Sequence, residues 1–327
     1  MKKKILVLGG GGFIGGHIGK YNKDKGNFVK IVDIKNHEHR DHDIMCHEFI
    51  KADLRDPKVV KDAMTIDGGF DEVYQLAADM GGAGYIFTGN HDADVMHNSA
   101  LINLNVAKEA VLKGVKKLFY SSSACMYPAY NQEDPENPNC AESSAYPAAP
   151  DSEYGWEKLF SERLYMSFHR NYGLNVRIAR FHNIFGTHGT WTGGKEKAPA
   201  AMCRKAAEAS NEISSFIEVW GDGQQTRSFL YVDECIEAIQ RLMASDFKEP
   251  VNIGSEEKVS INQLAQMAID ISGKSLKVKN VESNALGVRG RNSNNDLIRK
   301  TLNWSPKISL LEGMELAYKW INNELKP

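Results

Sequence analysis

The sequence predicts an α/β protein: a doubly wound parallel sheet followed by a smaller C-terminal α/β part. Three observations carry that prediction. Short apolar runs alternate with longer amphipathic segments along the chain. The runs are rich in β-branched residues and apolar throughout, as strands buried on both faces must be. A cluster of glycines follows the first run directly, where a tight strand-to-helix turn is needed.

Taken in order, KKILVLGG, FVKIVDI, EFIKADL, DEVYQLAA, KKLFYSSS and LNVRIARF each predict a buried strand. Helical patterns fall between them at about 13–24, 57–65, 92–113 and 153–172. YVDECIEAIQRLMASD predicts another helix and PVNIGS another strand. Beyond residue 185 the pattern loosens. THGTWTGGKEKAP and NALGVRGRNSNN are rich in Gly, Asn, Thr and cations, and predict loops that wrap a ligand. LIRKTLN and LLEGMELAYKWINNEL close the chain as helices. The division this implies is a nucleotide-binding part at 1–185, to which 231–255 return, and a smaller ligand-binding part from 186–230 and 256–327.

The chain has 327 residues, and its 40 Lys and Arg against 42 Asp and Glu leave a net charge of −2. That balance gives no electrostatic reason to expect nucleic acid or an anionic membrane as a partner. An anionic ligand must be held by a local cluster of cations. Five cysteines, an odd number without CxxC spacing, suggest neither a disulfide framework nor a zinc site, so a reducing cytoplasm is expected. The opening MKKKILVLGGGGFIGG imitates a secretory signal, but the glycines break its apolar part and His17 and Lys20 follow too soon. No stretch approaches the ~20 apolar residues of a membrane span. The histidine-rich NHEHRDHDIMCH (36–47) has irregular spacing and reads as a solvated loop, so no metal is expected.

Gly9, Gly12 and Gly15 stand immediately after the first strand and at the start of the first helix. Glycine lets the backbone turn tightly and approach a pyrophosphate, while the helix N-terminus, with Phe13 and Ile14, supplies N–H groups and the positive end of its dipole. This is a Rossmann-type arrangement. Asp33 ends the second strand, eighteen residues after Gly15, where a carboxylate accepts from ribose hydroxyls and repels a 2′-phosphate. NAD is therefore expected rather than NADP, although Lys35 pulls the other way. Asp53, ending the third strand beside Leu54, either meets the adenine or caps a turn.

Tyr154 and Lys158 in YGWEK share one face of a helix, and a neighbouring ammonium lowers a phenol's pKa. With Ser123 upstream they form the Ser–Tyr–Lys pattern that resembles the short-chain dehydrogenase/reductase superfamily, and QTRSFLYVDE resembles its extended, nucleotide-sugar-modifying branch. AADMGG, SSSACMYP, RFHNIFG, GGKEKAPAAMCRKA, WGDGQQTRSF and GVRGRNSNN together resemble the GDP-mannose 3,5-epimerase family over nearly the whole chain.

That resemblance implies an NAD-dependent isomerase of a GDP-sugar. A hexose is oxidised at C4, inverted at C3 or C5 through an enolate, and reduced again. It assigns Ser123, Tyr154 and Lys158 to the redox step and Cys125 and Lys197 to acid/base work on carbon. Inversion needs two groups that titrate near neutrality on opposite faces of the sugar, and a thiol and a desolvated amine suit that task. Arg227 and either Arg289 or Arg291 resemble diphosphate and sugar clamps; Asn183 and Lys205 belong to the nucleotide side, and Gly81 and Gly82 let the sugar approach the backbone. A homodimer paired through the segments 92–113 and 153–172 is the further implication. The rival readings are a 4-dehydrogenase or single-centre epimerase of another GDP-sugar, such as a heptose, and a non-catalytic NAD sensor.

Overall fold

The computed structural model describes residues 2–326 apart from 211, 213–214 and 284–286. Residues 284–286 of the expected ligand-wrapping loop thus lie outside the described residues.

The chain begins β1 (Lys4–Leu8), α1 (Phe13–Asp24), β2 (Phe28–Asp33), α2 (His42–Met45), β3 (Glu48–Lys51), α3 (Pro57–Ala63), β4 (Glu72–Gln75) and α4 (Ala83–Ile86). It continues through α5 (Asp92–Leu112), β5 (Lys117–Ser123), α6 (Glu153–Tyr172), β6 (Val176–Phe181), β7 (Ile184–Phe185), α7 (Ala198–Glu208), β8 (Phe216–Trp220) and β9 (Thr226–Ser228). It ends with β10 (Leu230–Tyr231), α8 (Val232–Ala244), β11 (Val251–Ile253), β12 (Lys258–Ser260), α9 (Ile261–Ser272), β13 (Lys277–Val281), β14 (Gly290–Arg291), α10 (Asp296–Leu302) and α11 (Leu310–Glu324).

Seven strands form one sheet in the order β11-β6-β5-β4-β1-β2-β3. Every pairing in it is parallel. The apolar continuity of the strands has its explanation in β1. Ile5 and Val7 join the core cluster that contains α8, whereas Leu6 and Leu8 join the cluster that contains Val60 of α3 and Ile102 and Val106 of α5. All four side chains are fully buried. At ~1.5–3 kcal/mol for each buried aliphatic side chain, a polar residue on either face would be costly. The strand order reverses between β1 and β4, so the crevice for a ligand opens at the strands' C-terminal ends there.

The segment 231–255 supplies α8 and β11, and β11 extends the large sheet beside β6. Three small sheets, β10-β7, β12-β9-β14 and β13-β8, lie beyond it. Helices α7, α9 and α11 pack together, and Ala206, Leu264 and Met314 belong to the same core cluster as β1 and β2. Local signals fix the helix ends. Ser152 caps α6 by accepting from Gly155 N, and Gly173 closes it at φ 71°. Reciprocal Ser260–Gln263 and Ser309–Glu312 capping pairs open α9 and α11.

The histidine-rich stretch departs from the solvated loop that its composition predicts. His37 is buried against Gly16, His39 packs edge-on to Trp320 of α11, and Arg40 Nη2 lies 3.2 Å from His188 Nδ1. Burial and the Arg40 charge hold His37 at a pKa of about 4 and His17 at about 3, so these imidazoles are neutral at pH 7 and pack as ordinary interior groups. The stretch is a strap over the first turns of α1 that turns His37, Met45 and Cys46 inward while Asn36, Glu38, Asp41, Asp43, Ile44 and His47 stay exposed. Among the described residues, no group of three or more His, Cys, Asp or Glu side chains is arranged to hold a metal ion.

Candidate active site

The glycine turn shows why its residues must lack side chains. A Cβ on Gly15 would stand 2.3 Å from Gly9 O, and one on Gly9, at φ 88°, would stand 2.6 Å from Ala77 N. Gly12 is the N-cap of α1, and no side chain caps that end. Asp33 is buried at the end of β2, where its carboxylate accepts from Gly11 N at 2.9 Å and Lys35 N at 3.0 Å. Burial raises its pKa, while those backbone donors hold it down. An uncapped helix end, a glycine cradle and a carboxylate beside them fit a dinucleotide's pyrophosphate and ribose.

Asp53 stands just beyond the end of its strand. β3 stops at Lys51, and the Asp53 carboxylate takes two bonds from Arg55 Nε and one from its own turn at Arg55 N. The turn cap, one of the two readings for Asp53, is formed, and the Arg55 guanidinium shares the same carboxylate. Leu54 packs its side chain into the core beneath, which leaves only its backbone to face the crevice.

On the other side of the crevice, β5 ends at Ser123 and passes into a single 3-10 turn, Ala124–Met126. Ser123 Oγ accepts from Cys125 N at 3.2 Å and also lies in hydrogen-bonding reach of the Tyr154 phenol. Tyr154 and Lys158 occupy the first turns of α6, which approaches so closely that a Cβ on Gly155 would lie 2.2 Å from Cys125 O. Lys158 Nζ donates to Ser121 O at 2.9 Å and stands 5.6 Å from the centre of the Tyr154 ring.

The expected lowering of the Tyr154 pKa is not what this arrangement produces. Burial pushes the phenol up, and negative charge at Cys125 would add to that, against the Ser123 hydrogen bond. The Lys158 ammonium is directed to a backbone carbonyl, and burial lowers its own pKa. Tyr154 therefore needs further positive charge beside it before it can release a proton near neutrality.

Lys197 is the N-cap residue of α7. The loop before it is pinned from two sides. Lys195 Nζ sits 4.3 Å over the Tyr85 ring, and Gly82 is so close to the 195–196 backbone that a Cβ there would meet Glu196 O at 3.0 Å. Gly82 thus admits the lysine-bearing loop, and Gly81 admits the Tyr85 ring. Burial lowers the Lys197 pKa, opposed by the charge of Cys125, so the two groups share one electrostatic environment.

The arginines separate cleanly. Arg291 is buried and donates through Nη1 to Cys125 Sγ at 3.0 Å. Arg289, two residues earlier, is exposed and pairs with both Asp222 oxygens at 3.1 Å. Arg227 is held by Thr226 O and Val288 O, and burial with the Arg291 charge lowers its pKa to about 10, still protonated at pH 7. Lys205 donates to Glu218 O of β8, and Asn183, at φ 29°, donates to Ser228 O; no contact links either to Cys125. The fold therefore gathers Ser123, Cys125, Tyr154, Lys158, Lys197, Arg227 and Arg291 and leaves Arg289 outside.

Two members of the site had no sequence signal. Gln132 and Asp151 both bind the Arg291 guanidinium, yet Gln132 ends a short 3-10 turn, Ala129–Gln132, and Asp151 lies in the loop before α6, and neither place carries a periodicity.

Comparison with known proteins adds four findings. The sequence model of the NAD dependent epimerase/dehydratase family matches residues 5–254. The GDP-mannose 3,5-epimerase of Arabidopsis thaliana is 45% identical over 323 residues, which cover 99% of this chain and 83% of that protein. GDP-mannose 3,5-epimerase 1 of Oryza sativa subsp. japonica is 44% identical over 325 residues, at 99% and 83% coverage. Among solved structures, a UDP-glucose 4-epimerase from Thermotoga maritima superposes with a TM-score of 0.85 at 24% identity, covering 99% of this chain and all of that one, a likeness of fold.

Proposed function

The chain belongs to the NAD-dependent epimerase/dehydratase family, and from that premise we propose that it is a GDP-mannose 3,5-epimerase. The observation that carries this reading is the company Cys125 keeps. A thiol and a buried amine stand beside the Ser–Tyr–Lys group, which is more than a hydride transfer at one carbon requires.

In this reading the Gly9–Gly15 turn, the N–H groups of Phe13 and Ile14 and the Asp33 carboxylate hold NAD. NAD held there would supply a reversible hydride acceptor for C4 of the hexose. Tyr154 takes the proton of the 4-hydroxyl, with Ser123 orienting that oxygen. A ketone at C4 acidifies the hydrogens on C3 and C5. Cys125 and Lys197 then remove a proton from one face and deliver one to the other, which inverts the centre. The low pKa direction of Lys197 suits it to carry a free amine for part of the cycle. Arg227 and Arg291 supply fixed positive charge for the diphosphate and the sugar oxygens.

Exposed Leu104 and Leu112 on α5 and Trp156, Phe160 and Tyr172 on α6 support a homodimer paired through those helices. Five free cysteines support a reducing, cytoplasmic setting. No helix among the described residues is long and apolar enough to cross a membrane.

The test is incubation with GDP-mannose in deuterium oxide, followed by proton NMR and NADH absorbance. Deuterium at C3 and C5, new GDP-hexose signals and no net NADH are expected. Absence of exchange would overturn the substrate assignment, and stoichiometric NADH would identify an oxidation that stops at C4.

A further inference from the structure

We infer that Asp151 and Gln132 are positioning residues that set the charge state of Cys125 by acting on Arg291. Its meaning for the reaction rests on the function proposed above; its physical content does not.

Three residues divide the guanidinium between them. Gln132 Oε1 accepts from Arg291 Nε, Asp151 Oδ2 accepts from Nη2 at 3.3 Å, and Cys125 Sγ accepts from Nη1 at 3.0 Å. The Arg291 and Asp151 side chains are 6% and 10% exposed, so water screens the ion pair little. Gln132 is fully buried, and its amide nitrogen donates to Tyr127 O and Pro128 O at 3.1 Å each. Those two bonds fix which end of the amide faces Arg291. The guanidinium therefore has one orientation, and that orientation aims a donor at the sulfur.

The charges around the sulfur make this consequential. Lys158 on α6, Lys197 at the head of α7, Arg227 on β9 and Arg291 on β14 all act on Cys125, and the neutral acids facing it are Tyr154 and Cys140. A sulfur that must both take and return a proton needs the positive charge beside it kept in balance. A thiolate that nearby cations stabilise too strongly is a weak base and takes a proton from carbon poorly, so half of the inversion chemistry would be lost. Asp151 offsets one of those cations at the guanidinium that touches the sulfur. Gln132 works in the opposite sense, since holding Arg291 in place favours the thiolate.

The two residues therefore predict shifts of opposite sign. The measurement is the rate of iodoacetamide alkylation of Cys125 from about pH 5 to 10, read by mass spectrometry of its peptide. The other four cysteines are buried. Asp151→Asn keeps an acceptor for Nη2 but removes the charge, and should move the alkylation midpoint down by about one pH unit, with about tenfold faster alkylation well below it. Asp151→Glu should restore the original midpoint. Gln132→Met keeps the volume but frees the guanidinium, and should move the midpoint up. If Asp151→Asn does not fold, Asp151→Ser removes the same charge and carries the same prediction.

An unmoved midpoint in the charge-removed variant, or an upward shift in it, overturns the inference. Because the titration uses no sugar, the two readings fail separately. Loss of exchange in Cys125→Ala with an unmoved Asp151→Asn midpoint would retain the epimerase and discard the positioning role. Opposite midpoint shifts without exchange on GDP-mannose would do the reverse.

Discussion

The two walls of the crevice are built on different plans. The cofactor wall is local: a strand, a glycine turn, a helix end and a carboxylate come from residues 4–33, and backbone groups do most of the work. The sugar wall is composite. Its side chains come from β5 and the turn after it, from α6, from the loop before α7, and from β9 and β14. A backbone site tolerates no added carbon atom, whereas a side-chain site tolerates truncation structurally and fails chemically. The largest effects of substitution should therefore be catalytic on the sugar side and structural on the cofactor side.

Removing the thiol should give the largest single effect. Cys125→Ala is expected to slow deuterium exchange at C3 and C5 by about 10³-fold, within the range for a general acid or base. Its melting temperature should fall only modestly, because the half-buried sulfur is small and the loss is the one bond that Arg291 Nη1 donates to it. NMR of GDP-mannose in deuterium oxide and a thermal melt on the same sample check both halves. A large loss of stability would erase the contrast between the walls.

The converse is Gly15→Ala. A Cβ 2.3 Å from Gly9 O forces the turn apart, and overpacking of this kind costs ~1–3 kcal/mol. The melting temperature should drop, and added NAD should no longer raise it as it does for the parent. Calorimetry with and without NAD reads both. A variant that melts normally and still responds to NAD would show that this turn yields more than its contacts suggest.

Acid should separate the walls as well. His17 and His37 have pKa values depressed from the usual 6.5 to about 3 and about 4. The unfolded chain therefore binds more protons than the folded one between those values and 6.5. The stability these groups contribute is complete above pH 6.5 and is lost progressively as the pH falls toward 4. Carboxylates titrate nearby, so the comparison is with His37→Asn, whose melting temperature should fall less between pH 6.5 and 4 than the parent's. Parallel curves would show that the strap over α1 is not the acid-sensitive part.

This division also explains what can be seen in the sequence. The sheet, its helices and the glycine turn follow from periodicity and from adjacent residues, so they are legible in the sequence itself. Ser123, Tyr154 and Lys158 are legible through spacing. The Asp151–Arg291–Gln132 group is not, because its members are 140 and 159 residues from Arg291 and sit in segments without periodicity. The strap is hidden for a related reason. A run of histidines looks hydrophilic, and only the surrounding Gly16, Trp320 and His188 turn it inward as neutral rings.

Arg289 and Arg291 make the smallest and sharpest comparison. Alternation along a strand would send residues two apart to the same face, and both sit in one motif, GVRGR. Yet the regular strand begins only at Gly290, so Arg289 escapes the alternation and turns outward to Asp222 while Arg291 turns inward to Cys125. An exposed pair of this kind contributes at most about 1 kcal/mol, screened further by salt. Arg289→Ala should therefore leave the exchange rate within about twofold of the parent and shift the melting temperature by only a few degrees, less in high salt. The backbone of Arg289 is a different matter, since its carbonyl accepts from Thr226 N at 2.8 Å and so holds β9 and β14 together. Loss of activity in Arg289→Ala, with that backbone bond untouched, would mean that the outward arginine reaches the substrate after all, and the sugar wall would then extend beyond the residues that meet at Cys125.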